Sequence, residues 1–288
     1  MELYDPSVIR AIRNKYGFQF SRSLGQNFLT DKGVIDGIVD GAEIGSEDLV
    51  IEIGPGIGVL TCAAAEKAGR VVAIEIDRRL IRILADTLAG YDNIRIINEN
   101  VVKMDLASLI SEEAGVKYKH VKIIGNLPYY ITTTILMKLL ESHLPVESIT
   151  VMMQKEVAER IKEPPGSRAY GALSVAVQYY CEVSVVEEVP REVFLPAPKV
   201  DSTVLRLDMR PEPPVSLLDE AMFFRCVRAG FGQRRKTLLN SLTGAGFSKD
   251  AIRECLEKAG IDPRQRAETL SLQDFAAVAN GFVTGDNG

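Results

Sequence analysis

The sequence predicts an α/β protein, a mostly parallel sheet of seven strands covered by helices, followed by a small all-α C-terminal domain. Three observations carry this prediction. Short β-branched runs alternate with amphipathic stretches as far as Met209. A glycine-rich turn, Gly54-Pro55-Gly56-Ile57-Gly58, follows the first strong run, as in sheets that bind nucleotides. After the proline-rich stretch Arg210-Pro211-Glu212-Pro213-Pro214 the strand signal stops and only helical patterns remain.

The expected strands are Leu49–Ile53, Val71–Glu75, Ile94–Asn98, Val121–Gly125, Ser148–Met153, Val183–Val189 and Thr203–Met209. Near-continuous apolar runs of this length suit parallel strands buried on both faces. Helices are expected between them, among them Asp77–Ala89, Thr132–Glu141 and Gly171–Tyr180. Beyond the proline-rich stretch, helices are expected over Leu218–Leu242, Ser248–Ala259 and Ser271–Asn280. Ser271 with Asp274 three residues on has the form of a capping box. Lys162–Arg168 is rich in turn formers and reads as a mobile loop. The domain division is therefore 1–209, including an N-terminal extension, and 210–288.

An apolar fraction of 46% and a charged fraction of 25% belong to an ordinary soluble chain, so the expected compartment is the cytoplasm. No apolar run is long enough to span a bilayer, and Met1 to Tyr16 lacks the apolar stretch of a signal peptide. Cys62, Cys181, Cys226 and Cys255 are scattered, which fits reduced, mostly buried thiols. His120 and His143 lie apart and outside any ligand-like cluster, so neither a zinc site nor a histidine base is expected. The net charge of −5 does not favour nucleic acid, but its distribution is uneven. Arg10 to Arg22 and Arg225 to Lys236 are basic runs without an acid. By themselves such runs are as often solvated helix faces as RNA contacts.

Two motifs carry chemistry. Gly54, Gly56 and Gly58 let the backbone turn sharply and approach a ligand at a helix N-terminus. Glu75 closes the next strand, placed to accept hydrogen bonds from both hydroxyls of a ribose. The second motif, Asn126-Leu127-Pro128-Tyr129, ends the fourth strand. The Asn126 amide oxygen and the Leu127 carbonyl form a pair of acceptors for an exocyclic amine. Accepting from both N–H groups holds the nitrogen near tetrahedral geometry and frees its lone pair. Pro128 stiffens the turn, and Tyr129 can stack on a base, a contact worth about 1–3 kcal/mol. Catalysis of this kind rests on alignment and electrostatics rather than on a strong base.

The shape Glu-x-Gly-x-Gly-x-Gly, from Glu52 to Gly58, resembles motif I of S-adenosylmethionine-dependent methyltransferases. Further blocks, in order, closely resemble the KsgA-type (RsmA) 16S ribosomal RNA adenine dimethyltransferases. They are Ser23–Leu29, Glu52–Gly58, Asn126–Thr132, Met153–Ala158, Val193–Ser202 and Phe231–Asn240, spread over nearly the whole chain. The resemblance implies a Rossmann-like class I methyltransferase domain and a helical domain that recognises RNA or the ribosome. It implies dimethylation of two adjacent adenosines in the 3′-terminal hairpin of 16S rRNA, within the small (30S) subunit or its precursor. The donor would be S-adenosylmethionine, without a metal, and the chain would act as a monomer. Asn27, Leu29, Gly54, Gly56, Glu75, Ile76 and Asn126 would line the cofactor pocket. Tyr129 and Phe194 would sandwich the target adenine, flipped out of its stack. Arg22, Arg234, Arg235 and Lys236 would contact RNA phosphates. The sequence departs from the family's pattern at Asn98-Glu99-Asn100, where an acid is usual after the third strand. Asn100 or Glu99 would meet the cofactor adenine there. The competing readings are an Erm-type 23S rRNA methyltransferase, a ribosome assembly factor for which methylation is secondary, and a small-molecule N-methyltransferase.

Overall fold

The computed structural model describes residues 2–21, 24–114, 118–233 and 235–285. In chain order the first half comprises α1 (Pro6–Tyr16), β1 (Phe28–Leu29), α2 (Lys32–Gly41), β2 (Asp48–Ile53), α3 (Val59–Ala65), β3 (Arg70–Glu75), α4 (Arg78–Thr87), β4 (Ile94–Asn98) and α5 (Leu106–Ala114). Then follow β5 (His120–Asn126), α6 (Thr132–Glu141), β6 (Ser148–Gln154), α7 (Lys155–Lys162), α8 (Ala172–Tyr180), β7 (Cys181–Val189), β8 (Phe194–Leu195) and β9 (Ser202–Met209). The C-terminal helices are α9 (Glu220–Gly232), α10 (Leu238–Gly244), α11 (Lys249–Lys258) and α12 (Leu272–Gly285).

Seven strands form one sheet in the order β4-β3-β2-β5-β6-β9-β7. The pairs from β4 to β6 are parallel, and β9 runs antiparallel to β6. All six residues of β2 are buried, as are five of the seven in β5, so the apolar runs lie at the centre of the sheet. The chain steps outward from β2 through β3 to β4, then returns to β5 beside β2. The carboxyl ends of β2 and β5 therefore flank a topological switch point, where such sheets bind ligands. Gly125 permits this closeness, because a Cβ there would stand 2.7 Å from the Ile53 carbonyl oxygen.

At the opposite end of the sheet, Lys122 reaches Asp48 at 3.0 Å, and both side chains are almost fully buried. Breaking such a pair from one side costs about 3–5 kcal/mol. A second, two-stranded sheet joins β1 to β8. Two-residue strands have too little periodicity to read from a sequence. The N-terminal extension packs through Leu3, Ile9, Ile12 and Phe18 against Phe28, Ile57, Leu80 and Ile83.

The chain divides into two compact units, and the division corrects the expected boundaries. One unit is Met1–Ala158 with Glu182–Met209, and the other is Glu159–Cys181 with Arg210–Gly288. Residues 159–181 thus join the helical unit rather than the sheet unit. Aromatic packing explains it. Tyr179 stands 5.2 Å from Phe223, Tyr180 stacks on Phe224 at 5.3 Å, and both hydroxyls donate to Glu220. Within this unit the Gly166 N–H also donates to the Glu268 carbonyl at 2.7 Å, which ties down the turn-rich loop.

The single helix expected over Leu218–Leu242 is two, α9 and α10. Gly232 ends the first, and Thr237 caps the second by accepting from the Asn240 N–H. The Ser271–Asp274 capping box forms, each side chain bonding the other residue's N–H. Cys181, Cys226 and Cys255 are buried, Cys62 is half-buried, and among the described residues none is in a disulfide. Among the described residues no helix is long and apolar enough to cross a membrane.

Candidate active site

At the switch point, in the sheet unit, lies a cavity of about 970 Å³ with its open mouth included. The glycine turn forms its floor. Gly54, Gly56 and Gly58 adopt φ values of 72°, 63° and 95°, a region L side chains rarely enter. A Cβ on Gly56 would also stand 2.7 Å from the Phe28 ring. Bare backbone is therefore required at this turn, where it lines the cavity beside Phe28.

Glu75 ends β3 almost fully buried. Its Oε1 accepts from the Asp77 N–H at 2.8 Å and its Oε2 from the Gly56 N–H at 3.3 Å. Burial nevertheless pushes its carboxyl up to about 7. Glu52, one residue before Ile53 in β2, is 1% exposed, and burial pushes it up to about 8. Its Oε2 has no hydrogen-bond partner among the described residues, although Glu52 lines the cavity. Two desolvated carboxyls facing one cavity favour a ligand that brings hydroxyl donors or a positive group. Beside them Ile76, a large apolar residue, is 49% exposed at the cavity wall. That is the surface a planar apolar ring would cover.

Asn126 ends β5, in register with Met152 of β6, and the Leu127 N–H donates to the Met152 carbonyl. The Asn126 Nδ2 donates to the Asn27 carbonyl at 2.9 Å. This bond fixes the amide orientation and leaves Oδ1 as the acceptor. The Leu127 carbonyl accepts from no donor among the described residues, whereas the Pro128 carbonyl holds Ile131 and Thr132. Two free acceptors thus come together on one short turn.

Every residue expected at the cofactor lines this cavity: Asn27, Leu29, Gly54, Gly56, Glu75, Ile76, Asn100 and Asn126. Glu99 lines it as well. Asn100 Oδ1 already accepts from the Val102 N–H at 3.0 Å, and its second lone pair remains. Of the residues expected at the reacting amine, Asn126 and Pro128 line the cavity, and Leu127 is buried beside them.

The expected pair of stacking walls is not brought together in the cavity lining. The Tyr129 hydroxyl bonds Ser202 Oγ at 2.6 Å, outside the lining residues. Phe194 is 4% exposed and packs in the core with Leu29, Val34 and Val204. Its pairing with Leu29 across β1 and β8 turns the ring inward. Sequence reasoning missed Tyr130, which is 59% exposed and lines the cavity. It also missed the buried carboxyl of Glu52, because burial of a single acid leaves no mark in a sequence. Arg235 and Lys236 are exposed in the helical unit, while Arg22 and Arg234 lie outside the described residues.

Known proteins resemble this chain over most of its length. The family model described as "Ribosomal RNA adenine dimethylase" matches residues 17–283. A protein of Bacillus mycoides named "Ribosomal RNA small subunit methyltransferase A" is 51% identical over 98% of this chain and 98% of its own length. Its namesake in Bacillus cereus strain AH187 is 52% identical with the same coverage. A dimethyladenosine transferase from Plasmodium falciparum superimposes with a TM-score of 0.73 at 27% identity, over 90% of this chain and 98% of its own. The 23S rRNA methyltransferase ErmE gives a TM-score of 0.63 at 27% identity, over 88% of this chain and 98% of its own.

Proposed function

The chain belongs to the ribosomal RNA adenine dimethylase family, and we propose from this that it dimethylates N6 of two adjacent adenosines in the 3′-terminal hairpin of 16S rRNA. The substrate would be the small (30S) subunit or its precursor. One observation carries the chemistry: the Asn126 amide is held by the Asn27 carbonyl so that Oδ1, beside the unused Leu127 carbonyl, accepts from the target amine.

S-adenosylmethionine, when bound, supplies a methyl group activated on a sulfonium. The cavity's donor set suits it. Glu75 accepts from the ribose hydroxyls, Ile76 covers one face of the adenine, and Asn100 or Glu99 accepts from the adenine amine. Asn126 and Leu127 orient the target nitrogen, holding both its N–H groups in the first transfer and the one that remains in the second. Tyr129 and Phe194 are proposed as the faces that meet the flipped base, and Phe194 must leave part of its core contact to do so. Arg22, Arg234, Arg235 and Lys236 are proposed to hold RNA phosphates. No strong base is needed, because the methylated ammonium loses its proton readily to water.

The likeness to ErmE favours a second reading, methylation of 23S rRNA. The higher identity to the small-subunit relatives supports the first. The two separate in one experiment. Purified protein and labelled S-adenosylmethionine are given either small subunits lacking dimethyladenosine or naked 23S rRNA. Label in N6,N6-dimethyladenosine of the small subunit is expected. Absence of that label, or label in the 23S rRNA alone, would overturn the proposal.

A further inference from the structure

A second cleft in the sheet unit lies apart from the glycine turn. About 1010 Å³ with its mouth included, it is walled by Arg78, Arg79 and Arg82 of α4 and by the Tyr16–Gln19 turn after α1. Among the described residues no acid lines it. Arg78 and Arg82 are exposed, four residues apart on one face of α4, and neither enters an ion pair among the described residues. Like charges so placed repel, so the helix gains nothing from them.

The neighbouring acids are already engaged. Asp77 accepts from the Arg79 guanidinium at 2.6 Å and from Gln26 Nε2 at 2.8 Å. Asp86 holds Lys15 at 2.8 Å and the Tyr16 hydroxyl. Arg79, pinned by Asp77, lies 5.4 Å above the Phe18 ring. The uncompensated charge of the cleft is therefore that of Arg78 and Arg82, a local positive focus on a chain of net charge −5. The cleft is also wired to the cofactor cavity. Gln26, which lines that cavity, bonds Asp77, and the Asp77 N–H bonds Glu75.

We propose that this cleft binds a phosphodiester of the RNA substrate, gripped by Arg78 and Arg82 while the Asp77–Arg79 pair keeps the cleft in register with the cofactor cavity. The inference rests on the reading that the substrate is RNA. Exposed guanidiniums read phosphate without reading sequence, which suits a contact that positions a structured RNA beside a pocket that selects one base.

The test uses the full chain, its Arg78→Gln/Arg82→Gln variant, the single Arg82→Gln variant and the Arg78→Lys/Arg82→Lys variant. Affinity for small subunits lacking dimethyladenosine is measured across a salt series, and cofactor affinity by calorimetry. The double glutamine variant should bind particles at least about tenfold more weakly. Its plot of log K against log salt should be shallower by about 0.7–0.9, as expected for one phosphate no longer neutralised. Arg82→Gln should lose about half of this, the lysine variant should recover most of it, and cofactor affinity should not change. Unchanged particle affinity and slope in both glutamine variants would overturn the proposal. So would inorganic phosphate displacing the particles at micromolar concentration, which would mark a site for a free anion. Failure of the unaltered protein to bind the particles would instead overturn the reading beneath it.

Discussion

Replacing Asn126 with alanine removes two interactions of different kinds. The first is the Oδ1 acceptor, used only when the target amine arrives. A preorganised polar group of this sort contributes about 2.7–4 kcal/mol to a transition state, so kcat should fall about 10²- to 10³-fold. The second is the bond from Asn126 Nδ2 to the Asn27 carbonyl, which holds the segment over the cofactor cavity. A neutral, part-buried hydrogen bond is worth about 1 kcal/mol, so the cofactor Kd should rise only about fivefold. The discriminating quantity is the ratio of the two losses. Single-turnover methylation at saturating cofactor measures the first, and calorimetric titration of cofactor measures the second. Asn126→Asp sharpens the experiment. It keeps an acceptor but sets a carboxylate oxygen against the Asn27 carbonyl, so it should weaken the cofactor more than alanine does. An alanine variant with kcat within about threefold of the unaltered protein would refute the assignment of Asn126 to the reacting amine.

The two buried carboxyls predict a pH dependence of stability. Burial raises Glu52 from its ordinary value of 4.5 to about 8 and Glu75 from 4.5 to about 7. Between pH 4.5 and these values the unfolded chain has released protons that the folded chain keeps. Stability without cofactor should therefore fall as pH rises through that window, by about 1.4 kcal/mol per unit for each group. Urea unfolding at stepped pH measures the slope, and Glu52→Gln should remove a large part of it. Gly56→Ala forces a left-handed backbone and a contact of 2.7 Å on Phe28. It should cost about 1–2 kcal/mol in the melting curve and abolish measurable cofactor binding. Asn100→Asp should keep the bond from the Val102 N–H and tighten cofactor binding a few-fold through a charged acceptor, as calorimetry would read.

The expected strands match the observed ones to within two residues at their ends, because a sheet buried on both faces leaves nearly continuous apolar runs. The cavity wall was equally legible: backbone geometry that only glycine adopts, and an acid at a strand end, are visible as residue types. What escaped depends on partners distant in sequence. The β1–β8 pair is too short to show a period. The allegiance of residues 159–181 rests on Tyr179 and Tyr180 meeting Phe223 and Phe224, more than forty positions away. The burial of Phe194 follows from its pairing with Leu29, and the isolation of Glu52 Oε2 follows from what does not reach it.

The reversal of β9 has a consequence for how this architecture diversifies. Because β9 runs against β6, Ser202 stands opposite Gln154, at the sheet end where Asn126 also stops. The connection from Pro190 to Asp201 is thereby delivered to the chemical end, and the Tyr129–Ser202 bond clasps it there. A parallel last strand would have to begin at the far rim and would leave that end bare. The connection can lengthen, shorten or change composition while the seven strands stay in register. Because β8 in this connection pairs with β1, whose Phe28 and Leu29 line the cavity, a change in the connection reaches the cavity wall as well as the Asn126 end.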